Sequence, residues 1–123
     1  MTFCASIQCI DGRIHDAIFS YIKENYDIKY IDILSEPGID GILAGDDPMY
    51  IDSIIRKLQI CVDVHDVKEV FFSAHYNCLA NPGTKEEHIS QMNKGLEKLK
   101  VRFPSLIFHK IWVDENWQCS SAD

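Results

Sequence analysis

Apolar residues along the chain fall into two patterns that alternate. Short continuous apolar stretches predict β-strands, whereas apolar residues that recur every three or four positions predict amphipathic helices. Ile14, Ile18 and Ile22 show the helical spacing most simply, because they fall on one side of a helix. The predicted strands cover residues 2–10, 29–34, 67–75 and 106–113. The predicted helices cover residues 14–25, a segment that begins near Pro48, and a segment between Thr84 and Pro104.

Polar residues mark the starts of two of these helices. Asp47 precedes Pro48, and this pair suits an N-cap followed by proline at the first helical position. Thr84 and Glu87 have the spacing of a capping box. Between the second strand and Pro48 lies an irregular segment rich in Gly, Pro and Asp, with one helical turn expected near residues 39–44. Beyond residue 113 the sequence predicts only a polar tail.

The alternation of strands and helices predicts an α/β fold in a single domain, residues 1–123. We expect three layers, α/β/α, around a four-stranded, mainly parallel sheet with strand order 2-1-3-4. This order places a topological switch point between strands 1 and 3. Open α/β sheets bind their ligands outside the carboxyl ends of strands at such a point, so the ends of strands 1 and 3 are where a functional site is expected.

Three residues of metal-ligating type lie at those two strand ends. Cys9 ends strand 1, and His75 and Cys78 end strand 3. Mixed thiolate and imidazole ligands favour Zn²⁺, and three protein ligands leave one tetrahedral position open, as in catalytic zinc sites. A cysteine at a strand end is, taken alone, more often a small core residue. The prediction of one zinc ion per chain therefore depends on the convergence of both motifs.

Asp11 and Arg13 come just after the first of these cysteines. Arg13 can hold the Asp11 carboxylate in a forked, charge-assisted pair, which leaves Asp11 facing the open metal position. If Arg13 swings away, Asp11 can instead become a fourth metal ligand and close the site. The residues alone leave both arrangements open.

Charge and composition disfavour several other classes of protein. The formal net charge is −7, and nonspecific nucleic-acid binding depends on positive charge that neutralises phosphates. No apolar stretch is long enough to cross a membrane, and the first residues lack the basic segment of a secretory signal. Five cysteines without such a signal predict free thiols in a reducing compartment. We therefore expect a cytoplasmic protein.

The motifs Cys9-x-Asp11-x-Arg13 and His75-x-x-Cys78 resemble those of the β-class carbonic anhydrases. The resemblance runs from about residue 2 to residue 113 and is greatest to small, divergent members. It implies that both cysteines and the histidine hold zinc, and that Asp11 and Arg13 form a dyad beside the open position. It also implies that a zinc-bound hydroxide, oriented by the dyad, hydrates carbon dioxide to bicarbonate. A homodimer or a higher homo-oligomer is an assembly that the resemblance leaves open.

Two loops depart from the pattern of that family. Leu79 and Ala80 follow the second motif, where the family has Gly-Gly or Gly-Met, and residues 35–38 read Ser-Glu-Pro-Gly instead of Arg-Asn-Ala-Gly. The same zinc site could therefore hydrolyse carbonyl sulfide or carbon disulfide. A third hypothesis is a non-catalytic zinc-binding module in which Asp11 closes the site. His15 and His88, just beyond the two motif loops, are the candidates for carrying the product proton to solvent.

Overall fold

The computed structural model describes residues 2–123, which form five strands and four helices. In chain order they are β1 (Phe3–Gln8), α1 (His15–Asn25), β2 (Tyr30–Ser35), α2 (Ile39–Ala44), α3 (Pro48–His65), β3 (Glu69–His75), α4 (Lys85–Arg102), β4 (Ile107–Val113) and β5 (Cys119–Ser121). The polar signals at the helix starts are confirmed. The Asp47 carboxylate accepts a hydrogen bond from the amide of Met49, and Thr84 and Glu87 form a complete capping box.

The sheet contains five strands in the order β2-β1-β3-β4-β5. The α/β class and the predicted order of the first four strands are confirmed, and those four are parallel. The prediction of a four-stranded sheet with a polar tail is wrong, because β5 pairs antiparallel with β4. This strand is only three residues long, Cys-Ser-Ser, and joins the sheet through backbone hydrogen bonds. The sequence of β5 therefore lacks the apolar alternation from which a strand is predicted.

Helices cover both faces of the sheet, which confirms the three-layer arrangement. On one face, α1 contributes Ile14, Ile18 and Ile22 to a buried cluster that also contains Phe71. On the other face, α2, α3 and α4 pack over the larger cluster, which contains Phe72. The adjacent residues Phe71 and Phe72 point to opposite faces because side chains alternate along a strand.

The contact between α2 and α4 is unusually close. A Cβ atom built on Gly95 would lie 2.9 Å from Cβ of Leu43 and 3.1 Å from Cε2 of Phe72. Only glycine therefore lets α4 approach both α2 and the sheet at this point. The close packing fixes the short helix α2 and the loop before it, which borders the candidate site. No helix within residues 2–123 has both the length and the apolar character of a membrane span.

Candidate metal centre

The carboxyl end of the sheet brings together Cys9, His75 and Cys78. Because β1 and β3 are parallel neighbours, their carboxyl ends lie side by side, and the loops that leave them start together. The sulfur atoms of the two cysteines and a ring nitrogen of His75 lie within 4.8 Å of one another, and all three residues are buried. These three residues are the ones whose convergence the strand order predicts.

The imidazole of His75 is oriented as a metal ligand would be. Its Nδ1 lies 2.8 Å from the carbonyl oxygen of Tyr76, so Nδ1 carries the proton and donates it. In the neutral ring the lone pair is then on Nε2. Among residues 2–123, Nε2 has no hydrogen-bond partner although it is buried. A buried acceptor without a partner is costly, and a metal ion at this position would satisfy it. The donor set therefore fits Zn²⁺.

The two sulfur atoms differ in their electrostatic surroundings. Burial raises the pKa of the Cys9 thiol, but the neighbouring His75 and the backbone amides of Gly38 and Asp11 outweigh it and lower that pKa to about 7. Burial and the negative charge of Cys9 raise the pKa of Cys78 to about 11. One thiolate therefore forms readily, while a second needs a cation beside it.

Asp11 and Arg13 form a two-point ion pair next to this group. Nε of Arg13 donates to Oδ1 of Asp11 at 3.0 Å, and Nη2 donates to Oδ2 at 2.7 Å. The backbone amide of Arg13 also donates to Oδ1, and Nη2 reaches the carbonyl oxygen of Asn77 at 3.1 Å. The guanidinium lowers the pKa of Asp11 to about 2. Of the two arrangements that the sequence leaves open, the structure has the paired one.

A cavity of about 440 Å³ lies beside Cys78. Its lining combines apolar and polar side chains, among them Tyr76, Leu79, Thr84 and Trp112. It is large enough to hold a small molecule. A second cavity, lined by Asp52, Arg56 and other residues, contains none of Cys9, His75 and Cys78.

Comparison with known proteins identifies the family. A family model described as "Putative carbonic anhydrase" matches residues 1–123. The chain belongs to this carbonic anhydrase family. The resemblance that the two motifs indicate is thereby confirmed at the level of the family. No curated protein matches the chain in sequence.

Solved structures agree with this carbonic anhydrase assignment in fold. The chain is similar to the β-carbonic anhydrase CcaA, with a TM-score of 0.58 at 8% identity, over 100% of this chain and 81% of that chain. It is also similar to tetrameric β-carbonic anhydrases from the filamentous ascomycete Sordaria macrospora. That match has a TM-score of 0.56 at 10% identity and covers 97% of this chain and 79% of that chain. At such low identity the similarity establishes the fold alone.

In this member of the carbonic anhydrase family, a polar network that the sequence did not reveal supports the loop carrying Cys78. Oδ2 of Asp40 on α2 lies 2.5 Å from Nδ1 of His88 on α4. Nδ2 of Asn81 donates to Oδ1 of Asp40 at 3.1 Å and to Oε1 of Gln91 at 2.7 Å. These partners are far apart in sequence and follow no local period. Only the folded chain brings them together.

The two histidines considered as proton carriers have different surroundings. His88 is 2% exposed and paired with Asp40, so it has no direct access to solvent. His15 is half-buried, and its Nδ1 accepts a hydrogen bond from Nε2 of Gln8 at 2.7 Å. The residue before Cys9 therefore contacts His15, which is the more exposed of the two histidines.

Proposed function

We propose that this chain catalyses the zinc-dependent hydration of carbon dioxide to bicarbonate. The observation that carries the proposal is the buried group of Cys9, His75 and Cys78, in which Nε2 of His75 has no partner among residues 2–123. Membership of the carbonic anhydrase family supports the reaction class. The proposed activity makes the protein a zinc lyase.

The three residues of that group would hold the zinc ion through two sulfur atoms and one nitrogen. When bound, zinc with one open position lowers the pKa of a water molecule towards neutrality and so supplies a nucleophile. The hydrogen bond from Nδ1 of His75 to the Tyr76 carbonyl keeps the ring in the tautomer that presents Nε2. The amide of Gly38 supports the negative charge on Cys9.

In this proposal the Asp11–Arg13 pair orients the attacking water. Because the pKa of Asp11 is about 2, its carboxylate is ionised at neutral pH and can only accept hydrogen bonds. Arg13 occupies both carboxylate oxygens on one side, which fixes the direction in which their remaining lone pairs point. Orientation of this kind lowers the barrier because the reacting groups meet already aligned.

The cavity beside Cys78 is the proposed place for the substrate. Carbon dioxide is a small, linear molecule with no net dipole. The apolar side chains of Leu79 and Trp112 offer it a surface that does not bind water strongly. Carbonyl sulfide and carbon disulfide share this linear shape. They are the alternative substrates to be tried if zinc is present and carbon dioxide is not hydrated.

The assembly and location of the chain are also proposals. We propose a homo-oligomer, supported by the exposed apolar side chains of Ile10, Tyr76 and Leu79 around the candidate site and by the tetramers of the Sordaria macrospora proteins.

We propose a cytoplasmic location, supported by the five cysteines, all of which are free. Formal charge argues against nucleic acid as a partner.

Substitution of one ligand and of one matched cysteine tests the proposed function. Cys78→Ser is expected to lose stoichiometric zinc and carbon dioxide hydration together. Cys61→Ser is the control, because Cys61 is also buried but lies in the core away from the group. It is expected to keep one zinc ion per chain and full hydration. Full zinc in Cys78→Ser would overturn the ligand assignment. Zinc in the wild type without hydration would favour the sulfur analogues and then a non-catalytic zinc module.

A further inference from the structure

Trp117 lies in the turn between β4 and β5 with an unusual backbone conformation. Its φ is +57°, in the left-handed region that a bulky side chain rarely adopts. The turn enforces this conformation through Asp114. The backbone oxygen of Asp114 accepts from the amide of Trp117 at 2.9 Å, and Oδ1 of Asp114 accepts from the amides of Asn116 and Gln118. Strain that surrounding contacts enforce in this way is a reason to look for a function.

The strained conformation places the indole of Trp117 over Arg13. Cζ of Arg13 lies 4.5 Å from the centre of the ring, which is a cation–π contact. The guanidinium is therefore held by three groups: the Asp11 carboxylate, the carbonyl oxygen of Asn77 and the face of the indole. Trp117 also meets the ring of Tyr76 edge-on, so the indole is itself held in place.

The Asp11–Arg13 pair needs such support because it is near the surface. The side chain of Arg13 is 41% exposed, and water competes strongly with exposed ion pairs. An indole on the guanidinium adds attraction and removes water from one of its faces. Without the indole, Arg13 would leave Asp11 more readily. Asp11 follows the candidate ligand Cys9 by two residues, so a carboxylate released by Arg13 could reach the open metal position.

We propose that Trp117 is a positioning residue that holds Arg13 on Asp11 and so keeps the Asp11 carboxylate from closing the fourth metal position. This inference rests on the proposed function in so far as it assumes a metal at the site. The contact of Trp117 with Arg13 belongs to the chain itself and can be tested without metal. Trp117 is not one of the three candidate ligands and does not line the proposed cavity. Its contact with the Asp11–Arg13 pair is through the guanidinium of Arg13.

Two variants separate the indole from the backbone strain. Trp117→Gly removes the ring, and glycine adopts φ near +57° without strain, so the hairpin is expected to keep its shape. Trp117→Phe keeps an aromatic face in the same place. Trp117→Phe is expected to restore most of the contact with the Arg13 guanidinium that Trp117→Gly loses.

The first measurement uses the metal-free protein. The Hε–Nε resonance of Arg13 in a heteronuclear NMR spectrum reports the ring current of the indole and the speed of proton exchange with water. We expect the resonance to lose its ring-current shift and to exchange faster in Trp117→Gly, and to recover partly in Trp117→Phe. An Arg13 resonance that is the same in the wild type and in Trp117→Gly would overturn the inference.

The second measurement uses protein loaded with cobalt(II) in place of zinc and titrated with thiocyanate. Thiocyanate binds an open metal position and changes the visible absorption. We expect Trp117→Gly to bind thiocyanate between about twofold and thirtyfold more weakly than the wild type, the range that a cation–π contact supplies. In the Asp11→Asn background, Trp117→Gly should have no such effect, because the closing carboxylate is gone.

The outcomes distinguish this inference from the proposed function. If the wild type binds cobalt and thiocyanate and hydrates carbon dioxide, but Trp117→Gly binds thiocyanate equally well, only the inference fails. If Trp117→Gly weakens thiocyanate binding equally in the Asp11→Asn background, Trp117 does not act through Asp11 and the inference also fails. A wild type that binds no metal overturns the proposed function and this inference together.

Discussion

The backbone amide of Gly38 donates a hydrogen bond to Sγ of Cys9 across 3.3 Å. Gly38 has φ of +57°, and a Cβ atom at this position would lie 2.8 Å from Cβ of Asn81. The loop after β2 and the loop carrying Cys78 are therefore in contact through a residue that has no side chain. This contact brings the amide of Gly38 to Sγ of Cys9, where its hydrogen bond lowers the pKa of the thiol.

Gly38→Ala is expected to destabilise the fold and to raise the pKa of the Cys9 thiol, because the hydrogen bond from residue 38 is disturbed. The new methyl group meets Asn81, and alanine resists the left-handed conformation, so we expect a loss of about 1–3 kcal/mol in the free energy of unfolding. Urea unfolding of the metal-free protein measures this loss. Gly12→Ala is the matched control, because a Cβ atom on Gly12 would meet nothing within 4 Å. Equal stability of the two variants would show that Gly38 is not required by the loop contact.

The two candidate ligand cysteines, Cys9 and Cys78, should differ in reactivity in the metal-free protein. The pKa of Cys9 is about 7 and that of Cys78 about 11, and both side chains are similarly buried. As the pH rises from 6 to 8, the thiolate fraction of Cys9 grows while that of Cys78 stays small. Alkylation by iodoacetamide, located by mass spectrometry, should therefore show a rate at Cys9 that rises through pH 7. Faster alkylation of Cys78 than of Cys9 at neutral pH would contradict this account of the site.

The meeting of Cys9, His75 and Cys78 could be predicted from the sequence because it depends on strand order. Apolar runs locate the strands, and the parallel order 2-1-3-4 brings the ends of two of them together. That the three residues hold zinc is still a prediction. The contact of Trp117 with Arg13 could not be predicted from the sequence, because it depends on a hairpin turn that polar residues build and on β5, which has no apolar alternation.

The Asp40–His88 pair should contribute measurably to stability. Both carboxylate oxygens of Asp40 have partners, Nδ2 of Asn81 and Nδ1 of His88. Asp40→Asn places an NH₂ group against the Nδ1 donor of His88 in the present ring tautomer. In the other tautomer the ring proton moves to the buried Nε2, which has no partner among residues 2–123. Either way a buried N–H group is left without an acceptor. We expect a loss of about 1.5–3 kcal/mol in the free energy of unfolding, measured by urea denaturation. Asp52→Asn, on the exposed side of α3, is the control, and a loss as small as that of Asp52→Asn would show that the buried pair is not stabilising.

Asp11→Asn should separate metal binding from catalysis. Asp11 is outside the group of three ligand atoms, so the variant is expected to retain one zinc ion per chain. Its amide cannot serve as the ionised acceptor, and hydration of carbon dioxide should fall by about a hundredfold or more. Asp16→Asn, at an exposed position on α1, should keep full activity. Undiminished hydration by Asp11→Asn would remove Asp11 from the proposed mechanism.

Stopped-flow hydration of carbon dioxide, measured from neutral to alkaline pH on protein of known zinc content, is the decisive test of the proposed function. We expect rapid hydration that rises with pH, scales with zinc content, and disappears when a chelator removes the metal. The rise is expected because two thiolates would donate more charge to zinc than neutral imidazoles do. The pKa of a water molecule there would then lie above neutrality, and the nucleophile would form as the pH rises. Protein with one zinc ion per chain that does not accelerate hydration at any pH in this range would contradict the proposed function.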